Sequence, residues 1–255
     1  MKILVTNDDG IQAKGLAVLV ELLKPYAEVT VVAPKEAQSG MSMAIPLGLD
    51  KHITASKVEM RDGVRWQWVD STPDACVKFA LGDAFRGYKP DLILSGINHG
   101  SNAATAACYS GTLGAAAEGA INGIRAIGIS LDTWRSDPDF STVKAFFPVI
   151  FEKLLLRCHS LDPLCGIYYN VNFPYLPADQ IKGISVCSMG LVHWADEYVA
   201  NPDGTYHIEG HLDDYPVNAP DADHKRLAQG WVTIVPHSID TTDYSEREEL
   251  LKLFR

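Results

Sequence analysis

The first 35 residues constrain the fold more than any other stretch. "KILV" is a short apolar run. Leu16, Leu19, Val20 and Leu23 follow at helical spacing up to Pro25, and "EVTVVAP" is a second apolar run. Two strands joined by one short helix predict a right-handed parallel strand–helix–strand unit, because parallel neighbours need a crossover between them. The first strand then runs straight into Thr6, Asn7, Asp8, Asp9 and Gly10. Adjacent carboxylates repel and resist desolvation, so such a strand end calls for a compensating cation.

The rest of the chain extends this pattern. Residues 52–70 alternate around Asp62-Gly63, which predicts a hairpin with a tight turn. "STPDACVKFAL" predicts a helix with Ser71 or Thr72 as N-cap and Pro73 in its first turn. "DLILSG", "AIGISL", "GIYYNVNFP", "ISVCSMG" and "GWVTIVP" read as strands. "SGTLGAAAEGAING" and "DYSEREELLKLF" read as helices, and "STVKAFFPVIFEKLLL" as a helix interrupted or bent near Pro148. The predicted fold class is α/β: a Rossmann-like, mostly parallel sheet flanked by helices, over residues 1–190. Beyond Gly190 the chain turns polar, with "NPDG", "DDYP" and "NAPDAD" around one further strand, "TYHIEGHL". Residues 191–255 are expected to form an extension rather than an independent domain: a hairpin with Trp194 and Tyr198, a returning strand and a terminal helix.

With 255 residues, 47% of them hydrophobic, a sizeable core can be buried. A net charge of −10 and no Lys/Arg cluster exclude a nucleic-acid polymer as the main partner. No stretch approaches the ~20 apolar residues of a membrane span, and the N-terminus lacks the long apolar run of a signal peptide. The expectation is a cytoplasmic protein without a membrane partner. Five cysteines without a C-x-x-C pair predict reduced, buried thiols.

In open parallel sheets, ligands gather beyond the carboxyl ends of the strands. Three such ends carry unusual residues: Asp8 and Asp9 after the first, Ser39 and Gly40 after the second, and Asn98 and Asn102 in "SGINHGSN". If the strands are neighbours, these supply two carboxylates, a hydroxyl and an amide carbonyl. That hard-oxygen set suits Mg²⁺, Mn²⁺ or Ca²⁺. Helix capping accounts for one Asp well and for two poorly. Taken singly, Ser39 and Asn98 have the ordinary reading of turn residues. Ser110, Gly111 and Thr112 precede a small-residue helix, whose start favours anions. Alone they are an ordinary cap; beside a metal site they become a phosphate subsite. Neither G-x-G-x-x-G nor a phosphate loop is present. His99 reads equally as a substrate contact or a solvent-facing loop residue, and Trp66 and Trp68 as packing.

At this point the residues meet a known pattern. "ILVTNDDGIQAKG", "VVAPKEAQSGMS", "DSTPDACVKFALG", "PDLILSGINHGSN", "YSGTLGAAAEG", "YNVNFP" and "LAQGWVTIVPHSIDTTDY" fall in order along nearly the whole chain. The sequence resembles the SurE family of stationary-phase survival proteins, metal-dependent nucleoside monophosphate phosphatases. The resemblance implies one divalent cation per subunit on Asp8, Asp9, Ser39 and Asn98. It puts the phosphate turn on Ser110, Gly111 and Thr112, with Asn102 near the substrate. It also implies 5′-nucleotidase activity, extending to 3′-monophosphates, and a homodimer or homotetramer built through C-terminal segments. On that basis the cation polarises a phosphoryl oxygen and a water attacks phosphorus; Asp8 as a transient nucleophile is the alternative route. Two departures stand out. Ala104, Thr105 and Ala106 occupy positions where the family usually has Gly-Asp-Asp, and Tyr244 stands where some relatives have His.

A receiver-type switch also begins with an acidic pair, but it needs an Asp acceptor at the third strand end, where this chain has Asn98. A haloacid-dehalogenase-type phosphatase needs Asp-x-Asp, whereas these aspartates are adjacent. A nucleotide-binding protein without turnover is the remaining alternative, and product release separates it from an enzyme.

Overall fold

The computed structural model describes residues 1–160, 162–195 and 198–254. The chain begins with strand β1 (Lys2–Thr6), helix α1 (Lys14–Leu23) and strand β2 (Glu28–Pro34). β1 pairs in parallel with β2, so the predicted crossover unit is present. A short hairpin, β3 (Glu59–Arg61) and β4 (Val64–Val69), turns at Asp62-Gly63. It is shorter than expected, since residues 52–58 carry only a single bridge from Ala55 to Val69. Next come α2 (Pro73–Gly82), capped by the Thr72 side chain, and β5 (Leu92–His99). α3 (Gly111–Ile121), β6 (Ala126–Asp132), α4 (Ser141–Ser160), β7 (Ile167–Pro174) and β8 (Gly183–Val186) follow. α4 runs through Pro148 as one helix without interruption.

The polar C-terminal stretch is organised differently from its expected single strand. "TYHIEGHL" breaks at Glu209-Gly210, with strands on both sides. β9 (Val192–Ala195) pairs with β12 (His211–Asp214), and β10 (Tyr198–Ala200) with β11 (Tyr206–Ile208), as one nested antiparallel arm. Tyr198 is exposed on that arm, while the Trp194 side chain lies outside the described residues. A short helix α5 (Asp223–Ala228), not foreseen in the sequence, leads into β13 (Trp231–Ser238), and α6 (Tyr244–Leu253) closes the chain.

Among the described residues, nine strands form the main sheet in the order β3-β4-β2-β1-β5-β6-β7-β13-β8. The run from β4 to β7 is parallel; β13 joins β7 antiparallel and carries β8 alongside it in parallel. The returning strand is therefore part of the main sheet. Both faces of the parallel run are covered, which explains its nearly unbroken apolar sequences. Ile3 and Val5 of β1 face the side packed by α1 and α4, with Leu16, Leu19, Phe147 and Phe151. Leu4 faces the side packed by α2 and α3, with Val77, Ala80, Ala115 and Ala116. No helix among the described residues is long and apolar enough to cross a membrane. Of the five free cysteines, Cys76, Cys158 and Cys187 are buried as expected, but Cys108 and Cys165 are exposed.

The switch point of the sheet lies between β1 and β5, where the chain leaves in opposite directions to build the two halves. Close backbone approach defines this region. β5 pairs with β6 at Ser95↔Gly128 and again at Asn98↔Ser130, with a register shift between. At Gly96, φ is 133° and a Cβ would lie 2.2 Å from the Ile129 carbonyl oxygen, so only glycine fits. The bulge turns the Ile97 carbonyl onto the first turn of α1, where a Cβ on Gly15 would sit 2.2 Å from that oxygen.

Two glycine substitutions test this packing against each other. Gly15→Ala should destabilise by about 1–3 kcal/mol, because the obstructing atom is backbone and cannot step aside. Gly82→Ala, at the open end of α2 with nothing within 4 Å of the new Cβ, should stabilise by about 0.4–1 kcal/mol through the unfolded state. Urea unfolding midpoints of the two variants should move in opposite directions.

Candidate active site at the switch point

β1 delivers Asp8 and Asp9 to the carboxyl edge of the sheet, flanked by β2 and β5. Gly10 makes the turn beyond them at φ 94°, and a Cβ there would meet Glu36 at 3.1 Å. This close approach brings the loop after β2 against the pair. The Gln38 N–H donates to the Asp8 carbonyl at 2.7 Å, and Ser39 follows in an exposed turn. From the other side, β5 brings Asn98, which is buried. Its Nδ2 donates to the Gly100 carbonyl at 2.7 Å, which leaves Oδ1 as the free acceptor side of the amide. The His99 N–H donates to Asp9 Oδ2 at 3.0 Å.

α3 closes the site. Ser110 is its N-cap, accepting from the Leu113 N–H at 3.1 Å, while the Gly114 N–H donates to the Ser110 carbonyl. The Thr112 hydroxyl donates to Asp8 Oδ1 at 2.6 Å. Sequence reasoning did not assign this contact between the hydroxyl and the carboxylate. Gly111 makes that contact possible, since a Cβ there would lie 3.1 Å from the Asp8 Cβ and 3.0 Å from Pro73.

Asp8 is 4% exposed. Burial pushes its carboxyl up to about 6, against the pull of the Thr112 hydroxyl, and the charge of Asp9 adds to the rise. Burial raises Asp9 as well, opposed by the His99 N–H. Two carboxylates are thus held where ionising both is costly, and a bound divalent cation removes that cost. Among the described residues no three His, Cys, Asp or Glu side chains gather at one point. A cation here must therefore complete its shell with neutral oxygens, and the Asn98 amide, the Ser39 hydroxyl and water are of that kind. The residues fit a hard divalent cation.

Asn102 is buried in a network that sequence reasoning did not assign. Its N–H donates to Asn172 Oδ1 at 2.8 Å, its Nδ2 donates to Ser130 Oγ at 2.8 Å, and Asn170 Nδ2 donates to its carbonyl at 2.8 Å. Asn172 in turn donates to Asn170 Oδ1 at 2.8 Å. The alternating asparagines of "YNVNFP" share one face of β7, and that period-two spacing was the available signal. Asp223 is the second unforeseen residue. Fully buried, it accepts the N–H groups of Ala104 at 2.9 Å, Gly190 at 2.9 Å and His224 at 2.8 Å. Thr105 donates its hydroxyl to the Val192 carbonyl. The loop lacking the acidic pair is therefore tied to the C-terminal segment. Tyr244 is exposed and donates to Asp240.

Behind α3, Asp74 is buried with neither carboxyl oxygen partnered by a described residue. Burial, with the charge of Glu118 adding to it, pushes it up to about 7.

The Thr112 contact has a measurable consequence. Thr112→Val should weaken Mn²⁺ binding about tenfold, the scale of a lost buried hydrogen bond to a charged group, and Thr112→Ser should restore it. Calorimetric titration of the three proteins checks this. Equal affinities would mean that the hydroxyl does not hold Asp8 for a cation.

Comparison with known proteins agrees with this geometry. The family model described as "Survival protein SurE" matches residues 3–196. The 5′-nucleotidase SurE of Cytophaga hutchinsonii is 39% identical over 244 residues, covering 94% of this chain and 92% of the relative. That of Bacteroides thetaiotaomicron is 38% identical over 252 residues, covering 97% and 94%. Among solved structures, the SurE protein from Aquifex aeolicus matches with a TM-score of 0.81 and 29% identity over 100% of both chains. On sequence and on fold alike, the chain belongs to the survival protein SurE family.

Proposed function

We propose that this chain is a metal-dependent phosphatase that hydrolyses nucleoside 5′-monophosphates to nucleoside and phosphate. One observation carries the proposal: an aspartate pair at the sheet's switch point, Asp8 buried and Asp9 half-buried, meets the N-terminus of α3, with Thr112 bonded to Asp8 at 2.6 Å. The relatives named 5′-nucleotidase support the substrate class.

Asp8, Asp9, Ser39 and Asn98 are the residues that would hold one Mg²⁺ or Mn²⁺. Such a cation supplies charge neutralisation at a phosphoryl group and lowers the pKa of a nearby water. The chain's own residues supply position. Thr112 fixes one oxygen of Asp8, the His99 N–H fixes one of Asp9, and Gly100 fixes the Asn98 amide. The start of α3, at Ser110 and Gly111, contributes a positive dipole end that favours the phosphoryl anion. Asn102 acts by holding the loop through Ser130, Asn170 and Asn172. Water is the nucleophile in this scheme.

Assembly belongs to the same proposal. α6 has no buried residue, and Leu250, Leu251, Leu253 and Phe254 are exposed on it and just beyond it. Tyr198, Tyr206 and Ile208 are exposed on the β-arm. Apolar faces of this extent need cover, and a second copy of the chain provides it in a homodimer or homotetramer.

Two experiments follow. Asp8→Asn should leave the fold intact by circular dichroism and abolish phosphate release from nucleoside 5′-monophosphates. Chelation with EDTA should do the same to the unmutated protein, reversibly on adding Mn²⁺ or Mg²⁺. Retained turnover in either case refutes the scheme. For assembly, light scattering should give at least a dimeric mass at micromolar concentration, and ending the chain before Asp240 should lower it. A monomeric mass for the full chain removes the assembly proposal.

A further inference from the structure

Trp134 is 84% exposed, beside the site just described. It lies two residues past the end of β6, which pairs with β5 at Asn98↔Ser130 and His99↔Leu131. A Cβ on Gly100 would lie 3.1–3.4 Å from Cη2, Cζ3 and Cζ2 of the indole. One side of the ring therefore rests against Gly100, the residue whose carbonyl holds the Asn98 amide. The rest of the ring is open to solvent.

The backbone on either side of the ring is held in place. The Gly100 N–H and the Thr133 N–H both donate to the Leu131 carbonyl, at 3.0 and 2.8 Å. The Arg135 N–H donates to Thr133 Oγ1 at 3.3 Å, and the Arg135 guanidinium lies 5.6 Å from the Tyr175 ring centre. Both neighbours of Trp134 are thus tethered, and the glycine beneath it gives the ring a flat seat. An indole face open to solvent at the rim of a polar site is suited to stacking a planar ligand.

We infer that Trp134 is the stacking platform for the base of the substrate nucleotide, and so the residue that favours nucleotides over other phosphate esters. The inference rests on the phosphatase reading for the place of the phosphate. Gly100 is two residues from Asn98, at most about 7 Å along the chain, and a ribose bridges a gap of that order between a 5′-phosphate and its base. Stacking is indifferent to base identity, because every base has a π-face. A broad range of bases is therefore expected.

The test compares two substrates that differ only in the base, adenosine 5′-monophosphate and ribose 5-phosphate, on the Mn²⁺-loaded protein. Trp134→Ala should lower the ratio of kcat/KM for the nucleotide over the sugar phosphate about tenfold, through KM. Trp134→Phe, which keeps an aromatic ring, should lower it less than about threefold. An unchanged ratio in Trp134→Ala overturns the inference. So does a loss of the ratio in Tyr109→Ala alone, Tyr109 being the exposed aromatic just before Ser110. If the unmutated protein cleaves neither substrate, the phosphatase reading fails, and fluorescence titration with adenosine decides the Trp134 inference separately. Quenching in the unmutated protein that is absent from Trp134→Phe supports it. No quenching, or equal quenching in both, overturns it.

Discussion

The Asp8 carboxylate, buried at the end of the central strand and bonded to the Thr112 hydroxyl, is the contact on which the site depends. It joins β1 to the first turn of α3, two elements separated by 104 residues in the chain. The bond holds Asp8 in one orientation while burial works against its charge. Asp9 beside it carries the same conflict in weaker form. A pair that resists ionising both groups alone suits the divalent cation proposed above, and the fold has taken on the desolvation in advance.

Glycines make the approach possible. Gly111 lets the helix start reach Asp8, Gly10 folds the loop of Ser39 over the pair, and Gly96 lets β5 bulge against β6 before Asn98. In each case the obstructing atoms are backbone or a buried side chain, so a larger residue moves a catalytic group rather than a flexible surface. The Asn102, Asn170 and Asn172 network holds the next loop in the same way, with amide groups whose donors and acceptors are matched.

The C-terminal segment is woven into this arrangement. β13 lies inside the main sheet between β7 and β8, and Asp223 ties Ala104 and Gly190 together. The loop before Ser110 therefore leans on residues more than a hundred positions later. Thr105 points its hydroxyl at the Val192 carbonyl, so a loop without the acidic pair is anchored to the extension through that carbonyl and the Asp223 carboxylate. What remains outward is the β-arm and α6, whose apolar side chains face away from the core.

The sequence by itself determined the parallel crossover unit, the alternation of strands and helices, and the placing of Asp8, Asp9 and Asn98 at strand ends. These follow from local periodicity and from the rule that ligands gather at the carboxyl edge. The family motifs added the substrate class. Tertiary structure alone decided that the Thr112 hydroxyl bonds to Asp8, that Asn102 is held by two asparagines of β7, that β13 runs antiparallel inside the sheet, and that Trp134 lies over Gly100. Each of these is a contact between residues distant in the chain. Their partners are chosen by packing and by the need to satisfy buried polar groups, and a single sequence does not name those partners, even where, as in β7, it shows the spacing of one side.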